Sequence, residues 1–154
     1  LVICANKWDQ VTDQTATHKA LTRQIQTSLP QLRGIPLVAC SALTGIGVEP
    51  MMAAVLAAYK QWGRYLPTAA LNRWLAAVTA HHQPPLANGR LVKIRYITQY
   101  ATRPPRFTLF VNRPKNISDS YLRYLVNELR SSFNLAGVPI RLLTRAGKNP
   151  YTKV

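Results

Sequence analysis

Along the chain the apolar positions change period, and the changes mark out elements. LVICA (residues 1–5) is a short unbroken apolar run, which predicts a buried strand of the parallel-sheet type, apolar on both faces. From about Thr17 to Leu29, Leu21, Ile25 and Leu29 recur at helical spacing, and Pro30 discourages continuation. IPLVACSA (35–42) predicts a second buried strand, and TGIG (44–47) a tight turn. From Glu49 to about Trp62, Met52, Val55, Leu56 and Tyr59 mark one face of a helix. Strand, helix, strand, helix is the rhythm of an α/β sheet with parallel strands.

The pattern restarts near Tyr65–Thr68. Thr68 is the expected N-cap of a helix whose stripe is Leu71, Trp74, Leu75 and Val78, ending at His81. QPPLANGR (83–90) turns the chain. Alternation then places Val92, Ile94 and Tyr96 on one side of a strand, and Lys93, Arg95 and Ile97 on the other. After ATRPPR (101–106), Phe107, Leu109 and Val111 alternate again. Ser118 is placed to cap a helix carrying Tyr121, Leu122, Leu125, Val126 and Leu129 inward, with Arg123, Asn127 and Arg130 outward. VPIRLLTR (138–145) predicts a last strand, followed by the polar tail AGKNPYTKV. This stretch reads as an α+β unit with one helical layer, and the boundary falls at 64–68, giving units 1–66 and 67–154. No repeat and no low-complexity run is visible.

With 154 residues, 47% of them apolar, the chain has material for a packed core. No apolar run is long enough to span a membrane, and no cleavable leader pattern is present. The chain begins at Leu1 inside an apolar strand, so it reads as a piece of a longer polypeptide. Cys4 and Cys40 sit in apolar runs, as reduced core residues of a cytosolic protein do, and no Cys/His spacing suggests zinc. His81 and His82 close a helix, where they suit the exposed carbonyls. Charge changes the picture more. The net charge is +15, yet residues 1–66 hold six Lys/Arg against three Asp/Glu, and residues 67–154 hold fourteen against two. The second unit is built to face a polyanion.

Two short polar motifs follow the first two strands: NKWD (6–9) and SALTG (41–45). Guanine presents two adjacent donors, and an ionised carboxylate such as Asp9 can accept both. Against adenine the same carboxylate stays desolvated and unpaired, which yields selectivity. Asn6 has a donor and an acceptor, enough to bond the base and brace neighbouring loops, and Lys7 can lay its stem along the base plane. The N–H of Ala42 is placed to donate to the guanine carbonyl, while Ser41 holds the turn. Ligands of open α/β sheets bind at the carboxyl ends of parallel strands, where both motifs stand. Alone, NKxD reads more readily as a solvated turn capping a helix; two ordered motifs on successive strand tips point to a nucleotide base. The pair resembles the fourth and fifth guanine-nucleotide motifs of translation-factor-type GTPases, with Leu43 where many carry Lys. The phosphate-holding GxxxxGK[ST] and a DxxG-like segment are not in the sequence, so this chain alone is expected not to hydrolyse GTP.

The candidate phosphate-contacting residues are Lys93, Arg95, Arg103, Arg106, Arg113, Lys115, Arg141, Arg145 and Lys148. Of the aromatics, Tyr96 and Phe107 are expected in the core, while Tyr100 is open between core and stacking. The run from YITQYATRPPR through FTLFVN, DSYLRYL, GVPIR and KNPY closely resembles the C-terminal domain of the bacterial Der GTPase family. The resemblance implies an α/β P-loop GTPase-type partial domain, the end of the second of two GTPase domains, followed by an α+β KH-like domain. It also implies GTP or GDP with Mg²⁺ in the full-length protein, a role in assembling the large ribosomal subunit, and ribosomal RNA as the polyanion. Its partners would be that subunit and the upstream GTPase domains in cis, with no membrane and no DNA, in the cytoplasm on the ribosome. Residues 67–154 lack the GxxG loop of ordinary KH domains, as does the Der version. The basic face would then meet RNA by charge and shape, or dock on a GTPase domain. The rival is a stand-alone basic RNA-binding module without nucleotide binding; a weaker third is a regulatory domain that binds only proteins.

Overall fold

The computed structural model describes residues 1–30, 34–84, 86, 89 and 91–147. The chain divides into two compact units: Leu1–Gly63 together with Leu135–Pro139, and Arg64–Asn134 together with the chain from Ile140 onward.

In the first unit, strand β1 (Ile3–Ala5) runs parallel to β2 (Leu37–Ala39), with Ile3, Cys4 and Ala5 opposite Leu37, Val38 and Ala39. Helix α1 (Gln14–Ser28) follows β1, and α2 (Val48–Trp62) follows β2. Asp13 caps α1 by accepting a 2.9 Å bond from the Ala16 N–H, so the helix begins at Gln14, three residues ahead of the start at Thr17 read from the apolar spacing. The expectation that LVICA is buried on both faces is corrected: Cys4 is exposed and Ile3 and Ala5 are half-buried. Among the described residues β1 has a strand neighbour on one side only, which leaves part of each face open. A groove of about 560 Å³ lies against it, lined among others by Ile3, Leu21, Ile25, Leu29 and Leu37.

Helix α2 also departs from its pattern. Met52, Val55, Leu56 and Tyr59 are exposed, and the less exposed side carries Met51, Ala54 and Ala58. Small side chains let a helix approach a strand closely, so the alanine side turns in and the larger apolar stripe turns out. The five residues Leu135–Pro139 complete this unit. Gly137 (φ +67°) comes so close that a Cβ there would lie 3.2 Å from both Ile35 Cα and Pro36 Cδ.

The second unit runs α3 (Thr68–His81), β3 (Ile94–Ala101), β4 (Arg106–Val111), α4 (Asp119–Ser132) and β5 (Arg141–Ala146). This is the helix, strand, strand, helix, strand order read from the periodicity. The sheet order is β3-β4-β5, with β3 antiparallel and β5 parallel to the central β4. Ile97, Phe107, Leu109 and Val111 face inward under the helices, whose Leu71, Leu75, Tyr121, Leu125 and Leu129 are buried with them. Asn72 on α3 closes the outer edge of β3: its Oδ1 accepts from the Ile97 N–H (3.0 Å) and its Nδ2 donates to the Ile97 carbonyl (3.0 Å). A buried Gln99 likewise holds the incoming chain. It accepts from the Leu66 N–H at 2.7 Å and donates to the carbonyls of Arg64 and Ala101.

Four details correct the sequence reading. Thr68 is the first helical residue; Pro67 occupies the N-cap and supplies no side-chain bond, its fixed φ suiting the entry. Irregular register between Ile94 and Tyr96 breaks the simple alternation, so Ile97 turns inward and Tyr96 outward. Tyr96 is therefore not core: it is 40% exposed, whereas Phe107 is fully buried as expected. Arg130, assigned to the outer side of α4, is buried and donates to Asn127 Oδ1 (3.1 Å). The tail from Lys148, with KNPY, lies outside the described residues, as do parts of QPPLANGR.

Ser118 caps α4, its hydroxyl accepting from the Tyr121 N–H. The Tyr121 hydroxyl donates to the His82 carbonyl at 2.8 Å. Burial first, and the neighbouring Tyr124 second, push the Tyr121 pKa up to about 12. Its neutral form is the one the fold holds, so this contribution is complete below pH ~10 and is lost as pH rises from about 10 through 12. Unfolding midpoints measured across that range should fall with pH, and Tyr121→Phe should remove that part of the fall. Among the described residues no helix is long and apolar enough to cross a membrane. Among the described residues no group of three or more His, Cys, Asp or Glu is placed to hold a metal ion.

Candidate functional site

The parallel pairing of β1 and β2 brings the two polar motifs to the same end of the sheet. The ladder continues past the strands: the Cys40 N–H donates to the Ala5 carbonyl (2.9 Å) and the Trp8 N–H to the Cys40 carbonyl (3.0 Å). Trp8 is buried and anchors a one-turn 3-10 helix, Trp8–Gln10, that presents Asp9 outward. Asn6 joins the two loops. Its Oδ1 accepts from the Lys7 N–H (2.8 Å) and from the Ala42 N–H (3.0 Å). Lys7 is held in a left-handed conformation (φ +61°), which costs a non-glycine residue about 1 kcal/mol and which the surrounding bonds maintain.

The second loop is built around Ser41, which is buried. Its N–H donates to the Ile46 carbonyl (2.8 Å), its carbonyl accepts from the Gly45 N–H (2.9 Å), and its hydroxyl accepts from the Thr44 N–H (3.3 Å). Ser41 thus holds the turn, as its place in the motif suggests. Gly45 and Gly47 both have positive φ, and Gly47 passes directly over β2.

The structure gives Ala42 a different bond from the one anticipated: its N–H goes to Asn6. The groups left open for a ligand, without a partner among the described residues, are the Asp9 carboxylate, Asn6 Nδ2 and the Leu43 N–H. One carboxylate and two amide donors beside a strand tip match the donor pair, ring nitrogen and carbonyl of a guanine edge. The residues present fit the base. The sequence reading places the open backbone donor one residue earlier, at Ala42; in the structure the Ala42 N–H is taken by Asn6 and the Leu43 N–H stands open.

The basic candidates are spread over the second unit. Arg106 and Arg141 are neighbours across β4 and β5, and Arg145 stands beside Phe110. Lys93 lies just before β3, its N–H bonded to Asn112 Oδ1. Arg95 runs past Gly147. Arg103 takes φ +58° in the β3–β4 turn, and Arg113 and Lys115 belong to the 3-10 turn ahead of α4. Lys148 is outside the described residues. The structure therefore places Arg95, Arg106, Arg141 and Arg145 on one sheet, with Lys93, Arg103, Arg113 and Lys115 in the segments beside its strands.

Known proteins resemble this sequence closely. The family described as KH-domain-like of EngA bacterial GTPase enzymes, C-terminal, matches residues 65–145. The chain is 46% identical over 151 residues to GTPase Der of Parvibaculum lavamentivorans and 49% identical over 153 residues to GTPase Der of Dinoroseobacter shibae. It is also 46% identical over 151 residues to GTPase Der of a Bradyrhizobium strain, ORS 278. In each case 98% of this chain is covered but only 31–33% of the relative, so the chain spans about a third of their length. With more than half its residues matched in family order, the chain belongs to the KH-domain-like family of EngA bacterial GTPases, C-terminal.

Proposed function

We propose that this chain is the C-terminal part of a GTP-binding GTPase that assists assembly of the large ribosomal subunit in the bacterial cytoplasm. The observation that carries the GTP-binding half is the 3.0 Å bond from the Ala42 N–H to Asn6 Oδ1, which makes NKWD and SALTG one site. In that site Asp9 accepts the two guanine donors, Asn6 Nδ2 reaches the ring nitrogen, and the Leu43 N–H meets the carbonyl. Lys7 covers the base plane, and Ser41 with Ala42 fixes the loop. GTP supplies a cleavable phosphoanhydride and enters with Mg²⁺. The residues that hold phosphates belong to upstream parts of the longer protein, and residues 1–66 form the end of its second GTPase domain. The outward apolar stripe of α2 and the groove beside β1 support this reading, because both suit further strands and helices of a larger sheet.

The basic KH-like unit, residues 67–154, contacts ribosomal RNA. Its support is the fourteen-to-two excess of basic over acidic residues and the arginines gathered on β4 and β5. Two results test the proposal. In the longer protein, Asp9→Asn should weaken GTP by about a hundredfold or more while improving xanthine nucleotides, which present a carbonyl where guanine has its amine. Isothermal titration with both nucleotides reads this, and an unchanged preference would remove Asp9 from base reading. Cosedimentation with ribosomal particles should weaken steeply as salt rises.

A further inference from the structure

One side of the three-stranded sheet is covered by α3 and α4; the other is not. Strand register arranges that second side in rows. Tyr96, Phe110 and Arg145 stand opposite one another across β3, β4 and β5. Thr98, Thr108 and Leu143 form the next row, and Arg106 with Arg141 the last, where the irregular register between Gln99 and Ala101 sets Tyr100 at the margin. Tyr96 and Phe110 stack with centroids 4.2 Å apart and planes 15° from parallel. Tyr96, Tyr100 and Leu143 are 40%, 50% and 46% exposed, and Arg141 and Arg145 are exposed, while the small Thr108 is buried.

The charges on this side are unbalanced. Asp119 and Glu128 are the only carboxylates in residues 67–154, and both lie on α4, in the helical layer. Among the described residues Arg106, Arg141 and Arg145 make no ion pair, and Arg106 Nε is shut from solvent with no hydrogen-bond partner. Like charges directly opposite in a sheet repel, so the Arg106–Arg141 pair is held at a cost that an anion between them would relieve. Exposed Tyr96, backed by the half-buried Phe110, at one end and paired arginines at the other offer a flat ring to a base and guanidinium groups to the backbone that carries it.

We propose that this open sheet face binds single-stranded RNA, one base stacking on Tyr96 and the following phosphates lying against Arg145, Arg141 and Arg106. The proposal rests on the RNA-contacting reading above and assigns it a face and a strandedness. A duplex buries its bases and cannot offer one to Tyr96, so single strands are preferred over duplex of equal length.

The test uses the intact chain and a 12-nucleotide RNA carrying a central 2-aminopurine, read by anisotropy and by quenching of the probe base. The same oligonucleotide annealed to its complement is the second ligand. Tyr96→Leu and the pair Arg141→Gln with Arg145→Gln are each expected to weaken the single strand roughly tenfold or more, and Tyr96→Leu to remove the quenching. The pair Arg73→Gln with Arg123→Gln removes the same charge from exposed sites on α3 and α4 and should change affinity less than about threefold. Circular dichroism confirms that each variant keeps the fold. Equal losses in all variants, retained quenching in Tyr96→Leu, or duplex bound as well as single strand would overturn the proposal while leaving RNA contact standing. Failure of the unaltered chain to bind either RNA would overturn the RNA reading as a whole. Sheet-face variants that leave RNA binding intact but change self-association would identify a protein as the occupant and overturn it too.

Discussion

Replacing Gly47 by alanine is expected to cost about 3 kcal/mol or more and to dismantle the SALTG loop. A Cβ at this position would sit 2.1 Å from the Ala39 carbonyl oxygen and 2.9 Å from Cys40 Cα, both backbone atoms of β2 and its extension. Neither can yield without breaking the ladder that carries Cys40 to Ala5 and Trp8 to Cys40. The residue also has φ +79°, which an L side chain adopts only under strain. Gly45 is the internal comparison: its φ is +77°, but a Cβ there meets nothing within 4 Å, so Gly45→Ala should cost only the backbone strain of about 1 kcal/mol. Urea unfolding of the two variants reads the difference directly. Equal midpoints would show that Gly47 does not pass over β2 as closely as described.

The second large effect is expected at Gln99. Gln99→Leu keeps the apolar volume roughly constant but strands the Leu66 N–H and the carbonyls of Arg64 and Ala101, all bonded by one carboxamide. Leu66 is buried, so its amide gains no water in exchange. A stranded buried group costs about 1–3 kcal/mol, and with the Leu66 amide stranded and two part-buried carbonyls losing their donor the stability should fall by about 3 kcal/mol. Hydrogen exchange at the Leu66 amide should accelerate together with the drop in the unfolding midpoint. A lower midpoint with an unchanged Leu66 exchange rate would locate the loss elsewhere.

Element order in both units was legible because it rests on long-range periodicity: stripes such as Leu71, Leu75 and Val78 survive any shift of one or two residues at the ends. What failed has local causes. Tyr96 and Ile97 exchanged sides at an irregularity in register, and no letter marks that. The stripe Met52, Val55, Leu56 and Tyr59 has helical spacing, yet spacing gives a face and not its direction; Ala54 and Ala58 turned inward because they permit closer approach. Arg130 was placed outside by its charge, although its long stem lets it lie buried with its guanidinium on Asn127. At the candidate base site, side-chain chemistry singles out Asn6, Lys7, Asp9 and Ser41, and the structure brings their two loops together. The partner of the Ala42 N–H was not legible, since it depends on how far apart the two loops stand.

The five residues Leu135–Pro139 have a consequence for the order of synthesis. They complete the unit whose other residues end at Gly63, so 71 residues, 64 to 134, separate its two pieces along the chain. At typical elongation rates that is on the order of 4–15 s during which β2 exists without the glycine that packs against Ile35 and Pro36. The first unit to be begun therefore waits until most of the second has been made, and a fragment cut after Gly63 is never completed. Dissection of this chain at its apparent junction would yield one piece permanently short of a part of itself.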